Sequence, residues 1–547
     1  MSYQEGVREG SNFKGIVILS TLAVGYLIST VVYRLYLHPL AKYPGPFWAK
    51  ITSFPSYWHA LKQDRHLWLF QLQEEFGSTF RYAPNSILIN TPNAFKAIYG
   101  PKGNVKKGVF YLVWPRNVDT LTTLNVIDTE IHGRKRRVLN HSFSDRALRS
   151  AEQFVLSNTD RWCELIEDQA APAGGEAWSS SLNMTDWANY LVFDILGDLC
   201  FGRQFNMKEP ESDLRYVIHL ITGFVEILHP IAMSPFAGFW AWMKPRGLDC
   251  VLQFASPPAL KKWEAFVEDC IADRTKVEQE REHQLQAGLV PEGEERKDFF
   301  HYLFHAEDPE TGTRGFPPHE MYGEAELLII AGSDTTSIVM SSLLFYLTRH
   351  PAIQTKLANE IRSTFSTASE IKSGPKLQSC EYLRAFIQEG LRMTPPVGSE
   401  TLREVREGGT DVDGTFFPPG VNVSVAYYCL SYNKDVYPEP FKFRPERWIV
   451  DDNEGSTEDS VALAESGACA FSMGSRGCPG KYLAWIEMSI VMAKLIYMFD
   501  MRQDPGNPLG GGDPRLGRGR QNVDLYQTYD VFVSLRDGPM IQFKRRE

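Results

Sequence analysis

The sequence predicts a mainly α-helical fold with small β-sheets, an α+β body preceded by one transmembrane helix. Three observations predict it. Long segments, residues 324–347 and 481–494 among them, carry apolar side chains at helical spacing. Short alternating runs, such as 86–89 and 421–426, lie beside Gly, Pro or Asn and read as strands. Residues 15–33 hold no charged side chain and approach the ~20 residues needed to cross a bilayer.

The chain has 547 residues, of which 43% are hydrophobic and 12% aromatic, enough to bury a large core. It shows no internal repeat and no long linker, so the expected division is an anchor (1–37), a proline-rich neck (38–50) and one large globular unit (51–547). A net charge of -10 disfavours nucleic acid as a partner. Eight scattered cysteines do not form a disulfide framework and suit a reducing, cytosol-facing compartment.

Glu5, Arg8, Glu9 and Lys14 cancel one another before the apolar run, whereas Arg34, Lys42 and Lys50 follow it. The positive-inside rule then places the body in the cytosol. The run lacks the shorter apolar core and small-residue site of a cleaved signal peptide, so it reads as a retained anchor in membrane lipid. Pro39, Pro44 and Pro46 make residues 38–46 stiff and non-helical.

Residues 67–76 have helical periodicity, and 79–90 alternate as a hairpin would. The aromatic run 110–114 ends at Pro115 without a clean period. In the basic run 132–137, His132 and Arg136 share one helix face and could grip an anion. A solvated helix face, or a patch for an acidic redox partner, is the other reading. Residues 191–202 read as a buried helix ending at Gly202. Residues 221–243, interrupted by Pro230 and Pro235, read as two apolar helices, either dipped in lipid or paired in the core. The polar stretch 276–297 reads as a charged helix end and loop.

Inside the apolar helix 324–347 stands Ala331-Gly332-Ser333-Asp334-Thr335-Thr336, a poor choice for a helix interior and therefore a sign of function. Small residues at 331 and 332 leave room for a diatomic ligand, and an acid beside an alcohol offers a route for protons. Glu389 and Arg392 sit at i and i+3, within salt-bridge reach on one helix face. Strands follow at 402–405 and 421–426, then a Gly- and Pro-rich loop at 505–519, and a hairpin over 530–543 turning at Asp537-Gly538-Pro539.

Cys478 lies where the glycine-rich loop 471–480 becomes a helix. The helix N-terminus favours its thiolate, a ligand for a soft metal. Arg476 supplies a fixed cation beside it. A single thiolate without neighbouring Cys or His argues against zinc and suits haem, which needs one protein ligand. A buried free thiol or a disulfide with Cys469 is the alternative.

Phe471, Gly474, Arg476, Cys478 and Gly480 reproduce F-x-x-G-x-R-x-C-x-G, and the chain resembles the cytochrome P-450 family of haem-thiolate monooxygenases. The resemblance runs from about Pro44 to the end and includes A-G-x-D-T-T at 331–336 and E-x-x-R at 389–392. It implies haem b (iron protoporphyrin IX) on Cys478, with Phe471 and Gly480 shaping the loop. Propionate contacts would come from Arg476, Arg403, Arg136 and His132, the last replacing the family's usual Trp. Gly332, Asp334 and Thr335 would take the oxygen-activating positions, and Glu389, Arg392 and Arg447 the structural triad. No dinucleotide fingerprint follows a strand, so electrons would come from NADPH through a separate NADPH-cytochrome P-450 reductase. The resemblance further implies a single-pass endoplasmic-reticulum protein acting with dioxygen on an apolar small molecule, similar to filamentous-fungal members of secondary metabolism. A peroxide-rearranging isomerase and a non-catalytic haem sensor or binding protein are the competing functions.

Overall fold

A computed structural model describes residues 2–115, 121–172, 177–289, 296–312 and 315–546. The helix Ser2–Val32 widens into a turn at Tyr33–Leu37. Within it Ile16–Leu37 forms an apolar span of 22 residues, mean hydropathy 2.1, with none of it buried against the body. This is a candidate membrane anchor. Two other helices, Tyr216–Met233 and the Glu320–Arg349 stretch, are long and apolar enough to cross a bilayer but pack partly or mostly inside the protein. The cation in the last turn of the Ile16–Leu37 span is tied to the body: Arg34 Nη1 donates to Ile51 O at 2.6 Å, and Arg81 Nη1 donates to Arg34 O at 2.7 Å.

The helix Pro318–Arg349 runs through the largest apolar cluster, packed against Met184–Phe201, Glu381–Met393 and Lys481–Met498. Leu196, Ile329, Leu343 and Phe386 are fully or almost fully buried there. The helix stays continuous through the five poor helix formers at 332–336, because tertiary burial outweighs propensity. Gly332 permits one close approach: a Cβ there would stand 2.9 Å from Leu196 Cδ1. Side-chain caps set several helix starts. Asp128 accepts from the amides of Glu130 and Ile131, Ser144 from Ala147, and Asn183 from Thr185.

Five short strands form the main sheet in the order Thr79–Ala83, Ser86–Ile89, Asn422–Ser424, Arg403–Val405, Val105–Lys107. The expected hairpin at 79–90 is its first pair, with Phe80 opposite Leu88. A three-stranded sheet joins Leu182–Asn183, Met540–Arg545 and Phe499–Gln503.

Two expectations change. The chain at 530–543 is not one hairpin turning at 537–539. Tyr529–Val531 turns back at Phe532, whose φ is +83°, to pair with Val533–Leu535, and Met540–Arg545 leaves for the three-stranded sheet. There Ile541 and Phe543 find burial that a solvent-facing hairpin would deny them. Pro230 does not break the apolar segment either. It lies in the last turn of Tyr216–Met233, where one ladder bond is lost, and the break falls at Ser234 and Pro235 before Ala237–Met243.

Candidate functional site

The cysteine loop is held by its own backbone. Cys478 N donates to Phe471 O at 2.9 Å, and Gly477 N to Gly474 O at 3.0 Å. Gly474 has φ +69°, and a Cβ there would meet Tyr99 O at 2.4 Å, so both conformation and space require glycine. Gly480 caps the helix Lys481–Met498. All eight cysteines are free, which removes the disulfide with Cys469.

The Cys478 thiol opens onto a cavity of about 780 Å³, lined mostly by apolar side chains from the central helix, the cysteine helix and Tyr216–Met233. Burial pushes its pKa up, against the amides of Gly480 and Lys481 and the nearby Arg136 guanidinium. This corrects the expectation that the helix terminus alone favours the thiolate. In the protein without a metal, desolvation exceeds what the amides return, and a bound metal cation would reverse the balance.

Four basic side chains share this cavity with the thiol: Arg136, Arg403 and Arg476, as the resemblance implies, and Lys107, which it does not. Among the described residues their acceptors are neutral. Arg136 Nη1 donates to Gly477 O at 2.7 Å, Arg476 Nη1 to Val126 O at 2.6 Å, Arg403 Nη1 to Leu402 O at 3.0 Å, and Lys107 Nζ to Leu124 O at 2.5 Å. Burial and the neighbouring arginines hold Arg476 down to about 10 and Lys107 well below its usual value. His132 also lines this wall, but burial and the surrounding cations push it down to about 3. His132 is therefore neutral, able to offer a hydrogen bond but no charge. Four desolvated cations with neutral acceptors call for a ligand carrying more than one anionic group.

On the opposite wall, Ala331, Gly332, Thr335 and Thr336 face the cavity. Thr335 Oγ1 donates to Ala331 O at 2.7 Å within its own helix. Asp334 does not line the cavity; it is buried on another face of the helix, and burial raises its pKa against the pull of Arg536. Arg536 Nη2 donates to Ser337 Oγ, one turn beyond Asp334, and to Asn189 Oδ1. Acid and alcohol are thus adjacent in sequence but turned to different surroundings.

Glu389 collects five N–H donors without exposure, one of them the Arg444 amide at 3.0 Å from Oε1. Arg392 Nε donates to its Oε2 at 2.9 Å and Arg392 Nη2 to its Oε1 at 2.8 Å. Arg447 Nε reaches Oε1 at 3.3 Å, and Trp448 Nε1 reaches Oε2 at 2.9 Å. Burial opposes ionisation, yet Arg392 and Arg447 hold the carboxylate below its ordinary pKa. Arg392 Nη1 also donates to Ser431 O and Arg447 Nη1 to Pro438 O, fastening the segment that leads to the cysteine loop.

Sequence reasoning missed Lys107, Arg536 and Glu487. Only Glu487 left a signal, an acid between Ile486 and Met488 in an apolar helix. It lines the cavity, its Oε1 lacks a partner, and burial pushes its pKa up to about 8 despite a hydrogen bond from Thr336.

Known proteins resemble the chain over nearly its whole length. The chain is 33% identical over 535 residues to the cytochrome P-450 monooxygenase AKT7 of Alternaria alternata, covering 96% of this chain and 97% of that protein. It is 34% identical over 534 residues to the monooxygenase apf7 of Gibberella fujikuroi, covering 95% and 96% of the two chains. The monooxygenase fscF of Fusarium equiseti is 33% identical over 530 residues, with 96% of each chain covered. The family profile described as cytochrome P-450 matches residues 44–514, the stretch that holds the cysteine loop, the cation cluster and the acid–alcohol pair, and the chain belongs to that family.

Proposed function

We propose that this monooxygenase inserts one oxygen atom from dioxygen into an apolar small molecule, by hydroxylation, in a secondary-metabolite pathway. The observation that carries the reading is the cavity in which Cys478 and four basic side chains face a mostly apolar space. That donor set fits haem b. Cys478 would hold the iron, and Arg136, Arg403, Arg476 and Lys107 would hold the propionates, with His132 donating a hydrogen bond. Bound haem supplies the redox chemistry that activates dioxygen and transfers oxygen to carbon.

The chain's own residues do the rest. Apolar walls exclude bulk water and orient the substrate by shape. Thr335 would pass protons to the oxygen site from the hydroxyl it presents to the cavity, with Asp334, its neighbour in the chain, as the acid of the pair. Gly332 lets the helix Met184–Phe201 press against the central helix and fixes the wall that carries Thr335. The triad of Glu389, Arg392 and Arg447 positions the segment before the cysteine loop.

Electrons would arrive from NADPH through a separate NADPH-cytochrome P-450 reductase. The anchor Ile16–Leu37 would hold the protein in the endoplasmic-reticulum membrane as a single pass, with residues 38–50 as neck and 51–547 as the cytosolic catalytic domain. Reconstitution with such a reductase tests the reading. An extract of the source organism should yield a product heavier by one oxygen atom, dependent on both NADPH and dioxygen. A product formed from peroxide alone, or ligand binding without turnover, would overturn it.

A further inference from the structure

Away from the cavity, two helices present chelating side chains to each other. The helix Phe299–His305 places His301 and His305 one turn apart, and Pro258–Gln286 places Glu278 and Glu282 one turn apart opposite them. Glu278 Oε2 lies 3.2 Å from His301 Nδ1 and 3.0 Å from His305 Nε2. Donors around a tetrahedral zinc ion with bonds near 2.0–2.1 Å stand roughly 3.3 Å apart, so each histidine nitrogen already holds a ligand's spacing from Glu278 Oε2, and the three atoms lie within 4.8 Å of one another.

The surroundings complete a metal site. His305 Nδ1 lies 3.3 Å from Glu282 Oε1, the carboxylate support a ligating imidazole usually has on its other nitrogen. Arg274 pairs with Glu278 Oε1 and leaves Oε2 facing the histidines. His305 faces carboxylate oxygens from both ring nitrogens. Glu278 is buried, while His301 and His305 keep 16% and 32% of their side-chain surface, so an ion can enter from solvent.

We propose that Glu278, His301 and His305 bind one zinc-class divalent cation, with water in the fourth position and Glu282 and Arg274 orienting the ligands. Two imidazoles and one carboxylate suit zinc, cobalt or nickel rather than magnesium or calcium, which take oxygen sets. None of the three residues lines the cavity, so this ion is separate from the haem centre. Its effect is to clip Pro258–Gln286 to Phe299–His305, whose first residue Phe299 does line the cavity and stacks edge-on against Phe143.

The test uses the full-length, haem-loaded protein in detergent, without a histidine tag, stripped with a chelator that leaves haem iron in place. Zinc is then titrated and counted against haem. The expected result is one zinc per chain, with a zinc-edge X-ray absorption spectrum showing a nitrogen/oxygen shell at about 2.0–2.1 Å and imidazole scattering. Glu282→Gln, which keeps every ligand, should weaken zinc about 10- to 100-fold, and His301→Ala/His305→Ala should weaken it further with the haem spectrum unchanged. If the stripped protein takes up no stoichiometric zinc, the two histidines form an imidazolium–carboxylate pair and the proposal fails. It fails equally if zinc binds the double variant as tightly as the parent, or binds without imidazole scattering.

Discussion

Lys107 and Arg403 stand directly opposite each other in neighbouring antiparallel strands, and both side chains line the cavity. Like charges paired across a sheet repel, and here the repulsion is strengthened by burial. Such a pair persists where a ligand supplies the missing anions. Lys107→Met should therefore have opposite effects in two states. The haem-free chain should become more stable in denaturant titrations, and the loaded chain should lose haem faster to an acceptor such as apomyoglobin. Slower haem loss in the variant would remove Lys107 from the haem-binding set.

The triad gives a prediction about folding rather than turnover. Removing one partner of a buried ion pair strands the other, at about 3–5 kcal/mol. Arg392→Leu should destabilise the protein by that order, because Glu389 would keep only Arg447, Trp448 and the Arg444 amide. Denaturant unfolding and the yield of haem-loaded protein measure it. A variant of parental stability would show that the pair is not needed for the fold.

Glu487 predicts a slope of stability with pH. Its pKa is raised from 4.5 to about 8 by burial, so the folded state binds more protons than the unfolded state between those values. Stability contributed by the protonated acid is then lost as pH rises through that window. Glu487→Gln should flatten the slope and be more stable than the parent at pH 8, by a few kcal/mol at most. Parallel melting curves of parent and variant at pH 5 and pH 8 decide the matter. If the two proteins lose stability equally over that interval, Glu487 is not the titrating group.

Asp334 and Arg536 predict a shift in the pH profile of electron use. Arg536 lowers an acid that burial has raised, so Arg536→Gln should move the limb owed to Asp334 to higher pH, and Arg536→Lys should move it back. Asp334→Asn should cut reductase-supported turnover by roughly 100-fold or more. Peroxide and product formed per NADPH, followed across pH, report both effects. An unmoved limb in Arg536→Gln would make Arg536 a structural residue only.

The legible part of the site was the part in which chemistry restricts residue types within a short stretch. A thiolate before a helix, with glycine where Gly474 meets Tyr99 O, leaves few alternatives, and the pair at 389 and 392 follows from helix geometry alone. The fold class was legible for the same reason, since the long helices and the apolar anchor are local patterns. What was hidden depends on register and distant packing. Lys107 becomes a site residue only because its strand pairs with Arg403, and Arg536 only because the chain reverses at Phe532. The direction in which Asp334 points was equally hidden, because neighbouring residues on a helix face different ways. The Cys478 pKa was misread because a helix terminus is visible in sequence and the depth of burial is not.

The most direct test of the central claim is the ferrous carbon-monoxide difference spectrum of purified protein carrying Cys478→His. The parent should show the long-wavelength Soret band of a thiolate-ligated haem, and the variant should lose it for the shorter-wavelength band of an imidazole-ligated one. A long-wavelength band that survives the substitution, or a parent protein that takes up no haem, would contradict the assignment of Cys478 as the iron ligand.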